Sequence, residues 1–205
     1  YHLIYILKLV VFYAGGGILA VSLTSNVGSV AEFPRWWNQP IVYQKLVLWT
    51  MLLETIGVAG TWGPLAGHFK PFTGGFRYWL RPGTIRIAPW PGKVPFTSGN
   101  RRTALDVILY VALMASLTTA LIMPGVPDAQ LHAMAPDATA GLVRPALLVP
   151  ILVVAVLLGL RDQVVFLASR SEQYLPAILF SAALGYVDMI IAFKLLIVVV
   201  WVGAG

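Results

Sequence analysis

Long apolar runs dominate this sequence, and they limit the folds that it can adopt. A helix needs about 20 mainly apolar residues to cross the hydrocarbon core of a bilayer. The pattern therefore predicts an all-α integral membrane protein with about five transmembrane helices, which form one polytopic domain over residues 1–205. The predicted spans cover residues 3–24, 41–62, 104–123, 142–160 and 186–204.

The last apolar region, residues 175–205, is longer than one comfortable span. We predict that residues 186–204 form the fifth span and that residues 175–185 form a helical lead-in or an interfacial segment. One long tilted helix is an open alternative, because a bilayer accommodates an overlong helix by tilting it.

The composition agrees with a membrane protein and excludes a soluble globular one. Hydrophobic residues make up 59% of the chain and charged residues only 11%, whereas soluble domains carry about 25% charged residues. Cysteine is absent, which excludes disulfides, thiolate metal sites and iron–sulfur clusters.

The lysines and arginines are distributed unevenly among the segments between the apolar runs. Segment 63–103 holds seven of the 14 bases and no acid, and segment 161–173 holds Arg161 and Arg170. Cytoplasmic loops are enriched in such residues. We therefore predict that loop 63–103 is cytoplasmic and that the two chain ends lie on opposite sides of the membrane. The net charge of +6 reflects this topology rather than a nucleic-acid partner.

Loop 63–103 alternates basic residues with aromatic residues and prolines. One interpretation is an anchor that orients the protein. The other is a site for the head group of an anionic or phosphorylated lipid, because arginines bind phosphates and aromatic rings favour the interface. The loop is longer than orientation alone requires. The side chains of the predicted lipid site are Arg77, Trp79, Arg81, Arg86, Trp90 and Lys93.

Three charged residues lie inside the predicted spans, at Glu54, Asp188 and Lys194. A lone charge in hydrocarbon is costly, so such residues pair or mark a functional pathway. We expect partners on other helices, with Glu54 and Lys194 as the first pairing to test; a structural ion pair and a role for all three residues as acid–base groups both stay open.

Other charged residues are assigned simpler roles. Lys8, Lys45 and Arg144 lie nearer the span ends, where snorkelling to the interface accounts for them. Asp162 and Glu172 are interpreted as parts of a solvated loop, in which Arg161 and Arg170 balance their charge.

The remaining motifs concern cofactors and packing. The only histidines are His2, His68 and His132, and none lies in the middle of a span. A haem held between helices needs paired axial ligands inside the bundle, so we predict no haem and no metal site.

Small residues recur every fourth position and predict close helix packing, as does the cluster at residues 15–17. The two repeats are Ala112, Ser116 and Ala120, and Ala177, Ser181 and Gly185.

Three segments carry a resemblance to a known family, namely WWNQPIVYQK at 36–45, YWLRPGTIR at 78–86 and PWPGKVP at 89–95. In these motifs the whole chain resembles an actinobacterial, largely mycobacterial, family of multi-spanning membrane proteins of unknown function. The resemblance implies an inner-membrane location in a lipid-rich envelope. Because the sequence starts at Tyr1 without a basic lead and ends without a polar stop, we expect a fragment of a longer member.

Two classes of function, and one without activity, remain open from the sequence. The protein either binds or carries an envelope lipid, alone or as a subunit of a membrane complex, or it is an integral membrane enzyme acting on a lipid or quinone-like substrate. A purely structural subunit is the third possibility. The expected partners are membrane lipids and other membrane subunits. A sideways groove beside residues 77–93 favours lipid handling, whereas convergence of Glu54, Asp188 and Lys194 on one cavity favours an enzyme.

Overall fold

A computed structural model describes residues 2–58 and 75–204, and α-helix is the dominant structure there. The described part contains no strand, only the isolated bridges Ile85–Arg101 and Val126–Leu142. The predicted all-α fold is confirmed. The α-helices are α1 (His2–Lys8), α2 (Gly16–Thr24), α3 (Phe33–Trp36), α4 (Pro40–Ile56), α5 (Phe76–Trp79), α6 (Ala104–Ile122), α7 (Ala129–Met134), α8 (Pro145–Arg161), α9 (Gln163–Ala168), α10 (Ser171–Ala183) and α11 (Tyr186–Ala204).

Three helical stretches of the described chain are long and apolar enough to cross a membrane. They are Tyr5–Thr24, Ala104–Ile122 and Tyr186–Gly203. Helix α8 is apolar but has only 17 residues. Helix α4 also has 17 residues and ends at Ile56, because Gly57 adopts the left-handed conformation and its N–H bonds the carbonyls of Leu53 and Glu54. The rest of the second predicted span, residues 59–62, lies outside the described residues, as do residues 63–74 of the loop.

The first long helix changes type along its length. A π-helix, Leu9–Gly15, joins α1 to α2, and π-turns occur frequently at functional sites. A Cβ atom added to Gly16 would lie 2.6 Å from the Trp49 ring, and one added to Gly17 would lie 2.7 Å from the Leu46 side chain. The absence of side chains at these glycines thus lets α2 approach α4 closely, as the glycine cluster predicts.

Long helices that follow one another in the chain run in opposite directions. At one end of the assembly, which we name the Asp106 end, Arg161 of α8 contacts Asp106 of α6 and the Tyr110 hydroxyl donates to the Thr55 carbonyl of α4 at 2.7 Å. At the other, the Val143 end, the Val143 N–H donates to Gln44 Oε1 at 2.8 Å. The core between these ends includes Leu48, Met51, Leu113, Leu117, Leu148, Ile151 and Ala155.

Helix α10 accounts for the predicted helical lead-in at residues 175–185, and it packs on the other helices through one face, with Ala177, Ile178 and Ser181 buried and Leu179 exposed. It packs against α8 and α4, with Tyr174 bonded to Thr50 and Gly185 beside Gln130 near the Val143 end. Helix α11 then runs back along α4, where Gln44 contacts Met189.

Both described ends of the chain therefore lie towards the Asp106 end. The first helix starts there, because Tyr13 reaches Glu54 and Thr24 reaches Lys45 near the other end. This arrangement disagrees with the predicted ends on opposite sides, because α10, although only 13 residues long, runs between the two ends of the assembly and adds one reversal of direction.

Candidate functional site

The second half of the basic loop folds back onto the Asp106 end and places two of its arginines inside the protein. Arg86 is 1% exposed and donates from Nη1 to both Asp106 carboxylate oxygens at 3.2 Å. The same carboxylate accepts a 2.7 Å hydrogen bond from Arg161 Nε. One buried aspartate thus holds a loop arginine and a helix-end arginine together.

A second buried pair lies beside the first. Arg102 donates from Nε to Asp162 Oδ2 at 3.1 Å, and its Nη2 bonds the same oxygen. The exposed fractions of Arg102 and Asp162 are 2% and 1%. We name Arg86, Arg102, Asp106, Arg161 and Asp162 the ionic cluster; its three arginines and two aspartates leave one excess positive charge. The interpretation of Arg161 and Asp162 as solvated loop residues is wrong.

Local structure positions each member of the ionic cluster. Asp106 belongs to a capping box at the start of α6, where its carboxylate accepts from the Thr103 N–H at 2.7 Å. Asp162 caps α9 by accepting from the Val164 N–H at 3.1 Å. The helix starts therefore fix the positions of the two carboxylates that bind the arginines.

Loop carbonyls complete the arginine contacts. Arg86 Nη2 donates to the carbonyls of Ser98 and Gly99 at 3.1 Å, and Arg161 Nη1 donates to that of Phe96 at 2.8 Å. Arg86 Nε is buried and has no hydrogen-bond partner among the described residues. The cluster therefore holds the loop to the helix ends through backbone as well as carboxylates.

The other predicted head-group residues have a different environment. Arg77, Arg81, Lys93 and Trp90 are exposed, whereas Trp79 is 4% exposed and packs edge-to-face on Tyr110, with ring centroids 5.6 Å apart. The positions of Trp79 and Arg86 exclude direct contact with a head group at the surface. The lipid prediction is accordingly restricted to the exposed residues.

An apolar groove lies beside Trp90. It has a volume of about 390 Å³ and is lined by Pro89 and Trp90 of the loop and by residues of α8, α9 and α10. A 2.7 Å hydrogen bond from the Gln163 N–H to the Ile87 carbonyl fixes the loop to the start of α9. Lys93 follows Trp90 in a turn in which its N–H bonds the Trp90 carbonyl at 3.2 Å. The groove thus includes an exposed aromatic ring, and an exposed base follows that ring by three residues in the chain.

The charged residues of the predicted spans do not meet. Glu54 is 5% exposed and accepts a 2.8 Å hydrogen bond from the Tyr13 hydroxyl, and Lys8 and Arg170 act on it electrostatically. Lys194 and Asp188 are exposed on α11. The predicted Glu54–Lys194 pair is absent from the described residues, where Glu54 bonds Tyr13 of the π-helix and Lys194 lines a groove that does not include Glu54.

Lys45 also departs from the predicted role. It is fully buried and donates from Nζ to the Thr24 carbonyl at 2.7 Å and to the Thr24 hydroxyl at 2.8 Å. Snorkelling is therefore the wrong explanation for Lys45, which instead satisfies the open end of α2. Lys8 is 3% exposed and lies over the Tyr5 ring, so snorkelling does not describe it either, while Arg144 is exposed as expected.

Four residues of the site were not predicted from the sequence, namely Tyr13, Arg102, Arg161 and Asp162. One signal was present, because Thr103-x-x-Asp106 before an apolar run is a capping-box pattern that fixes an acid at a helix start. Within residues 2–58 and 75–204, no group of three or more histidines and carboxylates is arranged to hold a metal ion. His68 lies outside that range.

Comparison with known proteins gives one positive result. No curated protein matches the chain, and no solved structure matches it. A family model described as a transmembrane protein of unknown function (DUF3556) matches residues 1–205. The match covers the whole sequence and agrees with the apolar helices of the fold. The chain therefore belongs to this family of transmembrane proteins of unknown function.

Proposed function

We propose that the protein binds an anionic or phosphorylated lipid of the inner membrane at the exposed face of residues 75–103, as a lipid carrier or as a subunit of a membrane complex. The observation that carries this proposal is the division of the loop. Its interior arginines are neutralised by carboxylates, whereas Arg77, Arg81, Lys93 and Arg101 stay exposed.

The exposed bases supply the affinity for the head group. A basic residue near an anionic membrane surface contributes about 1 kcal/mol, and the loop contains no acid that would compete for these bases. Exposed Ile87, Trp90 and Phe96 lie on the same loop, with exposed fractions of 53%, 54% and 83%. Aromatic and apolar side chains of this kind favour the membrane interface, so they support a loop that lies on the lipid layer.

The groove beside Trp90 supplies a place for an acyl chain. Its volume of about 390 Å³ lies within the range of about 300–1,000 Å³ that is usual for small-molecule sites. Lys93 is joined to Trp90 by the turn between them, so a lipid whose phosphate binds Lys93 would have its acyl chain near the groove. Head-group and chain contacts would then act on one lipid.

Native mass spectrometry of the protein tests the proposal. The protein is reconstituted in nanodiscs of phosphatidylcholine alone or with an equal part of phosphatidylglycerol, and the retained lipids are identified. We expect retention of phosphatidylglycerol to fall about fivefold for Arg81→Ala and for Lys93→Ala, since each removes about 1 kcal/mol of attraction. Arg35→Ala and Arg144→Ala are the matched controls, because both arginines are exposed outside the loop.

A second pair of variants separates the groove from the charges. Val156→Trp places a ring in the groove, whereas Val153→Trp, three residues earlier on α8, lies outside it. We expect only Val156→Trp to reduce lipid retention. Equal retention of both lipids by the unmodified protein, or equal effects of loop and control variants, would overturn the proposal.

An enzymatic function is not included in the proposal. Glu54 is bonded to Tyr13 and buried, whereas Asp188 and Lys194 are exposed on α11. No ion pair or hydrogen bond joins any two of these candidates in the described part of the chain. The structure therefore does not bring these three residues together, as an acid–base site requires.

A further inference from the structure

A second groove lies between α4, α10 and α11, away from the basic loop. It has a volume of about 570 Å³, and its walls are almost entirely apolar, with Tyr43 and Val47 on α4, Ala177 on α10 and Phe193 on α11. Lys194 is the one charged residue among those that line it. The groove therefore combines an apolar surface with a single cation.

Lys194 lies deep in the predicted bilayer. It is about 12 Å along the helix axis from Tyr186 and about 15 Å from Ala204, at 1.5 Å per residue. The hydrocarbon core is about 30 Å thick. A cation at this depth is costly unless it pairs or faces water.

The described residues provide no counter-charge for Lys194. All eight acidic residues lie in the described part, and none forms an ion pair with this lysine. Asp106 and Asp162 are held by arginines, and Glu54 accepts from Tyr13. Lys194 also has no hydrogen bond among the described residues. Within the described residues nothing balances the charge of Lys194, so its counter-charge has to come from outside them.

Depth distinguishes the possible sources of a negative charge that balances Lys194. Lipid phosphates lie at the interface, about 15 Å from the centre of the core, whereas a transmembrane helix holds a side chain at a fixed depth. Helix α11 has room for a neighbour, because only 6% of its membrane span, Tyr186–Gly203, is buried against the rest of the protein. A second copy in the same orientation would bring Lys194 towards its own equivalent, and like charges repel.

We propose that the groove between α4, α10 and α11 seats a transmembrane helix of a partner protein, whose aspartate or glutamate in mid-membrane pairs with Lys194. The apolar walls pack against the partner helix, and the ion pair fixes its depth and orientation. This inference does not depend on the lipid site.

Photo-crosslinking in cells tests the inference. Benzoylphenylalanine replaces Ile190, which lines the groove, or Ile191, which is exposed but does not line it. We expect a protein adduct from position 190, with mass spectrometry identifying a partner that carries an acid within a transmembrane helix. Position 191 should give little or none.

The lysine variants test the charge pairing itself. Lys194→Met should lower the adduct yield by about five- to thirtyfold, the range of polar contacts between membrane helices, while Lys194→Arg should retain most of it. Lys194→Glu combined with a lysine at the partner's acid should restore the adduct. Detergent size-exclusion profiles check that each variant is folded.

Three results would overturn the inference. They are an adduct only with a second copy of this chain, adducts only with lipid, and a protein adduct whose yield Lys194→Met leaves unchanged. The first two would assign the groove to a different occupant, and the third would remove the role of Lys194.

Discussion

Arg86 and Arg102 belong to the same loop as Arg77, Arg81 and Lys93, but the two groups have opposite environments. The first two are buried and bonded to Asp106 and Asp162, whereas the other three are exposed. The difference is set by the helix starts that present carboxylates to one group only. A high density of bases in a loop therefore does not define one function, because some of them hold the loop in place.

The largest loss of stability is expected when the acid that binds two of the buried arginines is removed. Asp106→Ala leaves Arg86 and Arg161 buried without a carboxylate, and breaking a buried pair from one side costs about 3–5 kcal/mol. We expect the free energy of unfolding, measured by SDS titration in mixed micelles, to fall by this amount. Asp137→Ala, at an exposed acid, is the control and should change it by less than about 0.5 kcal/mol. A loss below about 1 kcal/mol for Asp106→Ala would contradict the role of the ionic cluster.

The second pair permits a sharper test, because both partners can be replaced. Arg102→Met or Asp162→Leu alone should destabilise the protein by about 3 kcal/mol, since each leaves an uncompensated buried charge. Asp162→Leu also removes the cap of α9. The double variant should recover most of the loss, because apolar replacement of a complete buried pair is often neutral. Additive losses in the same SDS titration would show that the two side chains act independently.

Exposed bases should behave in the opposite way. Arg77→Ala, Arg81→Ala and Lys93→Ala should each change the free energy of unfolding by less than about 0.5 kcal/mol, as surface substitutions usually do. Their effect should be seen in lipid retention instead. A large loss of stability for any of them would place that residue with the buried group.

A change in salt concentration should also distinguish the exposed bases from the buried ones, and this is the smallest of the expected effects. Raising NaCl from about 0.15 M to about 1 M shortens the Debye length from about 8 Å to about 3 Å. Phosphatidylglycerol retention should fall, because the exposed bases are screened. The penalty of Asp106→Ala should change little, because solvent does not reach the buried pairs. A strongly salt-dependent penalty would indicate that the ionic cluster is hydrated.

The sequence predicts the apolar helices well and the packing between them less well. The spans 104–123 and 186–204 correspond to helices Ala104–Ile122 and Tyr186–Ala204, because hydrophobic length depends only on local composition. Helix α10 was recognised only as a helical or interfacial lead-in. It has 13 residues and includes Glu172 and Pro176. Hydrophobicity averaged over the length of a membrane span therefore does not separate it from α11.

The ionic cluster could not be predicted from charge counting, for a different reason. Counting treats every base of segment 63–103 alike, whereas the burial of Arg86 and Arg102 depends on contacts with Asp106 and Asp162, the latter 60 positions further along the chain. The Glu54–Lys194 prediction was wrong on similar grounds. Two opposite charges in different helices suggested a pair, but the neighbour of Glu54 is an uncharged tyrosine on a third helix.

The π-helix Leu9–Gly15 sets the rotational phase between the two halves of the first long helix. Its wider turn lets the Phe12 carbonyl accept from Trp49 Nε1 at 2.9 Å, while Tyr13 reaches Glu54. Removing a single residue there would turn α1 by about 100° relative to α2, since an α-helix has 3.6 residues per turn. Where the removed residue lies between Tyr13 and Gly16, Tyr13 and the glycines beside Trp49 would no longer share a side. The length of this segment is therefore as constrained as its chemistry, although most of its side chains face outward.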